Sequence, residues 1–123
     1  MIVILDFGSQ YTQLIARKVR ESNVYCEIHP FSKKWSEIES LKPSGIILSG
    51  GPSSVYEKNA PKPDKKIFES GLPIFGICYG LQVISEFFGG KVEAADKREY
   101  GPATLEMVTK DSLFTQLPNK IPV

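Results

Sequence analysis

Cys78 lies in Gly76-Ile77-Cys78-Tyr79-Gly80, between the apolar run Pro73-Ile74-Phe75 and a helix-forming stretch that opens at Leu81-Gln82. A strand turning into a helix through Gly-x-Cys-x-Gly is a nucleophile elbow, a strained bend that lifts one side chain out of a sheet. The two glycines accept backbone angles and close approaches that a Cβ would block. At a helix start the sulfur meets unpaired N–H groups and the positive end of the helix dipole, both of which favour the thiolate. The other reading of a free cysteine is a small buried hydrophobe. The spacing around Cys78 favours the nucleophile.

Acyl transfer through a cysteine needs donors for the oxyanion and a base with a group to orient it. The backbone N–H of Tyr79 is one candidate donor. A second comes from Gly50-Gly51-Pro52, where a bare backbone can approach substrate closely; the same residues also read as an ordinary turn. Gln82, one turn into the helix, either reaches back to a polar substrate or is a plain exposed helix residue. No base is evident. His29 is the sole histidine, and in a His-Pro pair it reads more readily as a turn element than as a base.

Apolar runs alternate with helical patterns, which predicts an α/β fold with a doubly wound, mostly parallel open sheet of the flavodoxin-like kind. Strands are expected at Ile2–Leu5, Val24–Ile28, Gly45–Leu48 and Pro73–Ile77. Helices are expected from Tyr11 to Val19, over Trp35–Leu41, from about Asp64 to Ser70 before Gly71, and after Cys78 up to Gly89-Gly90. The last carries Leu81, Ile84 and Phe88 on one face, broadened by Val83 and Phe87. Lys91–Ala94 and Ala103–Val108 look like later strands joined by a charged turn, Asp96–Glu99. Ligands gather at the carboxyl ends of parallel strands. Asp6–Gln10, Ser49–Pro52 and Cys78 all follow strands, so they share one edge of the sheet.

The 123 residues suit one domain, and 15 basic against 14 acidic residues give a net charge of +1. Such a balance offers no electrostatic case for nucleic acid or an anionic membrane. Lys33-Lys34 and the lysines from Lys62 to Lys66 read as solvated faces. Two cysteines outside a CxxC spacing and one histidine build no zinc site. Cys26, between Val24 and Ile28 on one strand face, reads as core. No signal-peptide pattern or membrane-length apolar run occurs, so a cytoplasmic protein is expected.

Gly76-Ile77-Cys78-Tyr79-Gly80-Leu81-Gln82 resembles the nucleophile motif of class I (triad-type) glutamine amidotransferases, and Ile47-Leu48-Ser49-Gly50-Gly51-Pro52 resembles their oxyanion loop. The segments from Leu5 to Arg17 and from Lys97 to Gly101 are similar to the GMP synthase branch of that family. The resemblance implies that Cys78 attacks the side-chain amide of L-glutamine. A γ-glutamyl thioester then forms, ammonia leaves, and water hydrolyses the thioester. It further implies that the N–H groups of Gly51 and Tyr79 hold the oxyanion, while Gln82 and Gly50 help to hold the glutamine. Ammonia would pass to an ATP-pyrophosphatase (synthetase) module, fused or separate, that aminates xanthosine monophosphate to GMP. ATP and Mg2+ belong to that module; this chain is expected to bind no cofactor or metal. A homodimer formed through that module is also consistent with the resemblance.

The family places its catalytic His and Glu in a downstream His-x-Glu motif, preceded by a Ser-His-Gly-Asp segment, and neither occurs here. The expectation is a single domain, residues 1–123, that is the N-terminal part of an amidotransferase domain, incomplete at the C-terminus and nearly inactive alone. Without the later elements, apolar surface and an unpaired sheet edge are expected. Two alternatives stay open. One is a cysteine hydrolase with another substrate. The other is a non-catalytic flavodoxin-like module that binds through Asp6–Gln10 and Ser49–Ser54 with an ordinary Cys78 thiol.

Overall fold

The computed structural model describes residues 1–53, 55–90, 104–106 and 120–122. The chain forms two compact units, Met1–Glu93 and Ala94–Val123. In the first unit the strands are β1 (Ile2–Asp6), β2 (Cys26–Pro30), β3 (Gly45–Leu48) and β4 (Ile74–Gly76). Helices α1 (Thr12–Glu21), α2 (Trp35–Ser40) and α3 (Tyr79–Phe87) alternate with them, and a 3-10 turn spans Lys65–Ile67. All strand pairings are parallel, in the order β2-β1-β3-β4, with Ile4 opposite both Ile28 and Ile47. The order reverses direction between β1 and β3, the crevice where open α/β sheets bind ligands. In the second unit β5 (Thr104–Glu106) pairs antiparallel with β6 (Lys120–Pro122), Leu105 opposite Ile121. The strand expected at Lys91–Ala94 and the turn at Asp96–Glu99 lie outside the described residues, as do both ends of the one expected at Ala103–Val108.

Pleating sends alternate side chains to opposite sheet faces. Val3, Leu5, Ile46 and Leu48 share a core with Ile38 of α2, Ile67 of the 3-10 turn, and Tyr79 and Val83 of α3. Ile4 and Cys26 pack against Ala16 of α1 on the other face. The sheet is therefore covered on both sides, as near-continuous apolar strands require. Full burial of each such aliphatic side chain stabilises by roughly 1.5–3 kcal/mol. Cys26 is core, and its thiol lies 3.5 Å from the Ala16 carbonyl. Over β3 and β4 the α1 side carries an apolar groove of about 440 Å³, lined by Leu14, Ile15, Val19, Ile47, Phe75 and Ile77. Phe75, on the edge strand β4, stays 45 % exposed.

Several elements differ from expectation. The helix expected over Asp64–Ser70 is a short 3-10 turn. The Asp64 carboxylate accepts the Lys66 N–H at 3.0 Å, and the Ser70 hydroxyl donates to the Ile67 carbonyl at 2.6 Å. The first bond is an N-cap, and the second takes a carbonyl that a longer helix would use. Strand β2 starts at Cys26 rather than Val24, because Asn23 turns the chain through a φ of 62° and leaves Val24 and Tyr25 exposed. Helix α1 begins after Tyr11, whose side chain is exposed. Strand β4 is shorter than Pro73–Ile77, although Ile46 N–H donates to Pro73 O and Ile77 N–H to Leu48 O, each at 3.0 Å. The buried face of α3 is Tyr79, Gly80 and Val83, so Leu81 and Phe88 point outward, Phe88 with 66 % exposure. Gly89, at a φ of 86°, caps α3 as expected, and Gly90 N–H closes onto the Ser85 carbonyl at 2.7 Å.

Candidate active site

The elbow is built from main-chain contacts. Ile77 extends the β3 pairing, Cys78 takes φ 52° and ψ −114°, and the Cys78 carbonyl then accepts Leu81 N–H at 3.0 Å and Gln82 N–H at 3.2 Å. A left-handed φ at a non-glycine residue costs on the order of 1–3 kcal/mol and concentrates at functional sites. It turns the Cys78 side chain outward, where the thiol is exposed. The bend requires Gly80: a Cβ there would overlap the backbone carbonyl of Leu48. As the first helical residue, Tyr79 has no helical carbonyl for its own N–H to bond.

The loop after β3 meets this elbow. A Cβ on Gly50 would lie 3.2 Å from Cys78 Cβ, and one on Gly51 would overlap the Phe7 carbonyl oxygen. Ser49, fully buried, accepts the Phe7 N–H at 3.2 Å. Thr12 Oγ1 sits 3.2 Å from Ser49 Oγ and 3.0 Å from Asp6 Oδ1, and Asp6 also accepts the Gly8 N–H at 2.8 Å. A cavity of about 380 Å³ opens between Gly8–Tyr11, Gly50–Pro52 and Cys78. It is the size of a small-molecule pocket. Cys78, Gly50 and Gly51 are thus brought together at the strand ends, with Tyr79 directly behind them.

Gln82 is not among the residues that line this cavity. Its Oε1 accepts the Val55 N–H at 3.2 Å, so its acceptor is committed to the loop between β3 and the 3-10 turn. The same loop is held by the Tyr79 hydroxyl, which donates to Pro61 O, and by Lys62, whose Nζ lies 2.7 Å from Glu86 Oε1. Lys62 is therefore paired rather than merely solvated. Desolvation pushes the Tyr79 phenol above its ordinary pKa, and the charges of Glu86 and Glu57 add to the effect.

His29 lies within β2, not in a turn, and its Nε2 sits 3.0 Å from Glu27 Oε1. Strands β1 and β3 separate it from β4, three strand spacings of about 4.8 Å each. Glu27 is held below the usual carboxylate range by the Tyr25 hydroxyl and then by His29. Sequence reasoning missed the Asp6–Thr12–Ser49 chain. Asp-x-Gly after a strand signals an Asx turn at Asp6. Nothing local marks Thr12, because its partners, Asp6 and Ser49, come from two other segments.

An open parallel sheet with a cysteine elbow facing a Gly-Gly loop defines an α/β protein of the nucleophile-elbow class. Residues 3–123 match the family model of class-I glutamine amidotransferases, and the chain belongs to that family. It is 62 % identical over 113 residues to "GMP synthase [glutamine-hydrolyzing]" of Brachyspira hyodysenteriae, covering 92 % of this chain and 22 % of the relative. To the Bacillus subtilis protein of the same name it is 53 % identical over 120 residues, covering 98 % of this chain and 23 % of the relative. The chain thus spans less than a quarter of the length of these curated relatives. A crystal structure from Thermoplasma acidophilum, described as that of a GMP synthase subunit, superposes with a TM-score of 0.83 at 31 % identity. That alignment covers 99 % of this chain and 61 % of the other. Among the described residues, no helix is long and apolar enough to cross a membrane, and no cluster of His, Cys, Asp and Glu is grouped to hold a metal.

Proposed function

We propose that this chain carries the nucleophile and oxyanion loop of a glutaminase that feeds ammonia to the amination of xanthosine monophosphate. The observation that supports this reading most is the contact between Gly50 and the exposed, strained Cys78 across one cavity, in a chain so similar to GMP synthases. The Cys78 thiolate adds to Cδ of L-glutamine, and the oxyanion takes hydrogen bonds from Gly51 N–H and Tyr79 N–H. Collapse breaks the C–N bond, and the amide nitrogen leaves as ammonia with a proton from a general acid. Water then cleaves the γ-glutamyl thioester to glutamate and the free thiol. In this reading the acid and base come from outside the 123 residues, since His29 is bonded to Glu27 far from Cys78. A synthetase module holding ATP and Mg2+ consumes the ammonia. Gln82 contributes by holding the loop, with its amide NH2 left to donate toward glutamine.

The test is release of glutamate and ammonia from L-glutamine by the protein at its native length. Hydrolysis that disappears in Cys78→Ala, with a γ-glutamyl adduct on Cys78 after acid quenching, is the expected result. No hydrolysis by the native-length wild type overturns the reading. Substantial hydrolysis by the 123 residues alone overturns the assignment of the base to other residues.

A further inference from the structure

Three polar contacts around Ser49 and Thr12 share only two hydroxyl protons. Thr12 Oγ1 lies 3.0 Å from Asp6 Oδ1 and 3.2 Å from Ser49 Oγ, and Ser49 Oγ lies 3.1 Å from the Gly50 carbonyl oxygen. A carboxylate only accepts, so the Thr12 proton goes to Asp6. The Ser49 proton then has two acceptors in reach, Thr12 Oγ1 and the Gly50 carbonyl. Ser49 itself is anchored, since its oxygen takes the Phe7 N–H and its side chain is fully buried.

The Gly50 carbonyl and the Gly51 N–H belong to one planar peptide unit and point in opposite directions. Flanked by two glycines, that unit is far less restrained in rotation than any other peptide in the loop. Its orientation decides whether the Gly51 N–H faces the cavity at Cys78. We infer that the Ser49 hydroxyl is a positioning group that latches the Gly50–Gly51 peptide through the Gly50 carbonyl, so that Gly51 N–H is aimed before substrate arrives. The inference rests on the glutaminase reading for its kinetic consequence, but not for its structural one.

Ser49→Ala removes the latch. Losing an oxyanion donor outright slows turnover by about a hundredfold to a thousandfold, and misaiming one gives a smaller loss, on the order of tenfold to a hundredfold. In the native-length protein, kcat for glutamine hydrolysis therefore falls by that factor while KM moves less than about threefold, because the donor acts mainly in the transition state. Alkylation of Cys78 by iodoacetamide, which needs no oxyanion donor, keeps its rate. Thr12→Val removes the competing acceptor together with the Thr12 donor to Asp6, which keeps the Gly8 N–H. It leaves the Gly50 carbonyl as the one acceptor for Ser49, so kcat stays within about threefold of wild type. Ser49→Cys, with a weak S–H donor in the same place, gives an intermediate kcat and serves where Ser49→Ala does not fold. The Gly51 amide resonance in a proton–nitrogen correlation spectrum shifts in Ser49→Ala and not in Thr12→Val. Wild-type kcat in Ser49→Ala or Ser49→Cys overturns the latch, as does an equal loss in Thr12→Val, which would mark the network as packing. If the wild type itself hydrolyses no glutamine, the glutaminase reading falls. An unmoved Gly51 resonance in Ser49→Ala then still overturns the latch, and a moved one sustains it.

Discussion

The carboxamide oxygen of Gln82 accepts the Val55 N–H, joining the first turn of α3 to the loop that leaves the Gly-Gly segment. Tyr79 and Glu86 grip the same loop through Pro61 and Lys62, so residues 79, 82 and 86 form one helical face turned toward it. The elbow helix therefore holds both Cys78 and the segment opposite it.

Removing the Gln82 grip frees Val55. In Gln82→Ala the Val55 amide loses a bond of about 1 kcal/mol and exchanges its hydrogen roughly fivefold faster than in wild type. Gln82→Glu keeps an acceptor at that position and keeps the protection. Equal exchange in the wild type and Gln82→Ala would show that Val55 is held by something else.

Cys78→Gly should stabilise the fold while removing the thiol. The strain of a φ of 52° is relieved, against a glycine entropy cost of roughly 0.5–1 kcal/mol, for a net gain of about 1 kcal/mol. Cys78→Ala keeps its Cβ and gains nothing. Chemical denaturation of the three proteins, compared at equal slope, checks the order.

At high pH, Tyr79 limits stability. Its folded pKa is raised, so its contribution is complete below the unfolded tyrosine value of about 10 and is lost as the pH climbs through the folded value. Tyr79→Phe lowers stability at neutral pH by about 1 kcal/mol through the lost Pro61 bond. It also flattens the alkaline fall, and melting curves from pH 8 to 11 read both effects.

Asp64 acts at the acid end. The Trp35 and Lys66 N–H groups hold its carboxyl below the usual range, so its contribution is present above the unfolded value of about 3.9 and is lost as pH drops through the lower, folded one. It caps the 3-10 turn and ties it to the start of α2, where Trp35 N–H lies 3.0 Å away. Asp64→Ala costs about 1 kcal/mol at pH 7 and little once the wild-type carboxyl is protonated. A difference that persists unchanged down to the acid transition would rule out this role.

The strand cores and the elbow were legible because each is written locally. Ile2–Leu5 and Gly45–Leu48 are apolar runs, and Gly76-x-Cys78-x-Gly80 declares a bend by spacing alone. The rotation of α3 was not legible: its inward face follows from Gly80 pressing on Leu48, so Leu81 and Phe88 look outward despite their hydrophobicity. Asp64–Ser70 stays one short turn because the Ser70 hydroxyl takes the Ile67 carbonyl that a longer helix would use, and Gly71 turns the chain away at a φ of 79°. The bond from Val55 N–H to Gln82 Oε1 spans 27 residues, and no local pattern reveals it.

Gly80 rests on the carbonyl of Leu48, and Gly51 rests on that of Phe7, with no side chain between either pair. The span from sulfur to loop is consequently ruled by covalent geometry and sheet register, which have no rotamers to sample. Substitutions in the surrounding core can loosen or tighten the domain, yet they reach that span only through the backbone, as Ser49 does through the Gly50 carbonyl. Selection can therefore rework the periphery of such a domain while the working gap stays fixed.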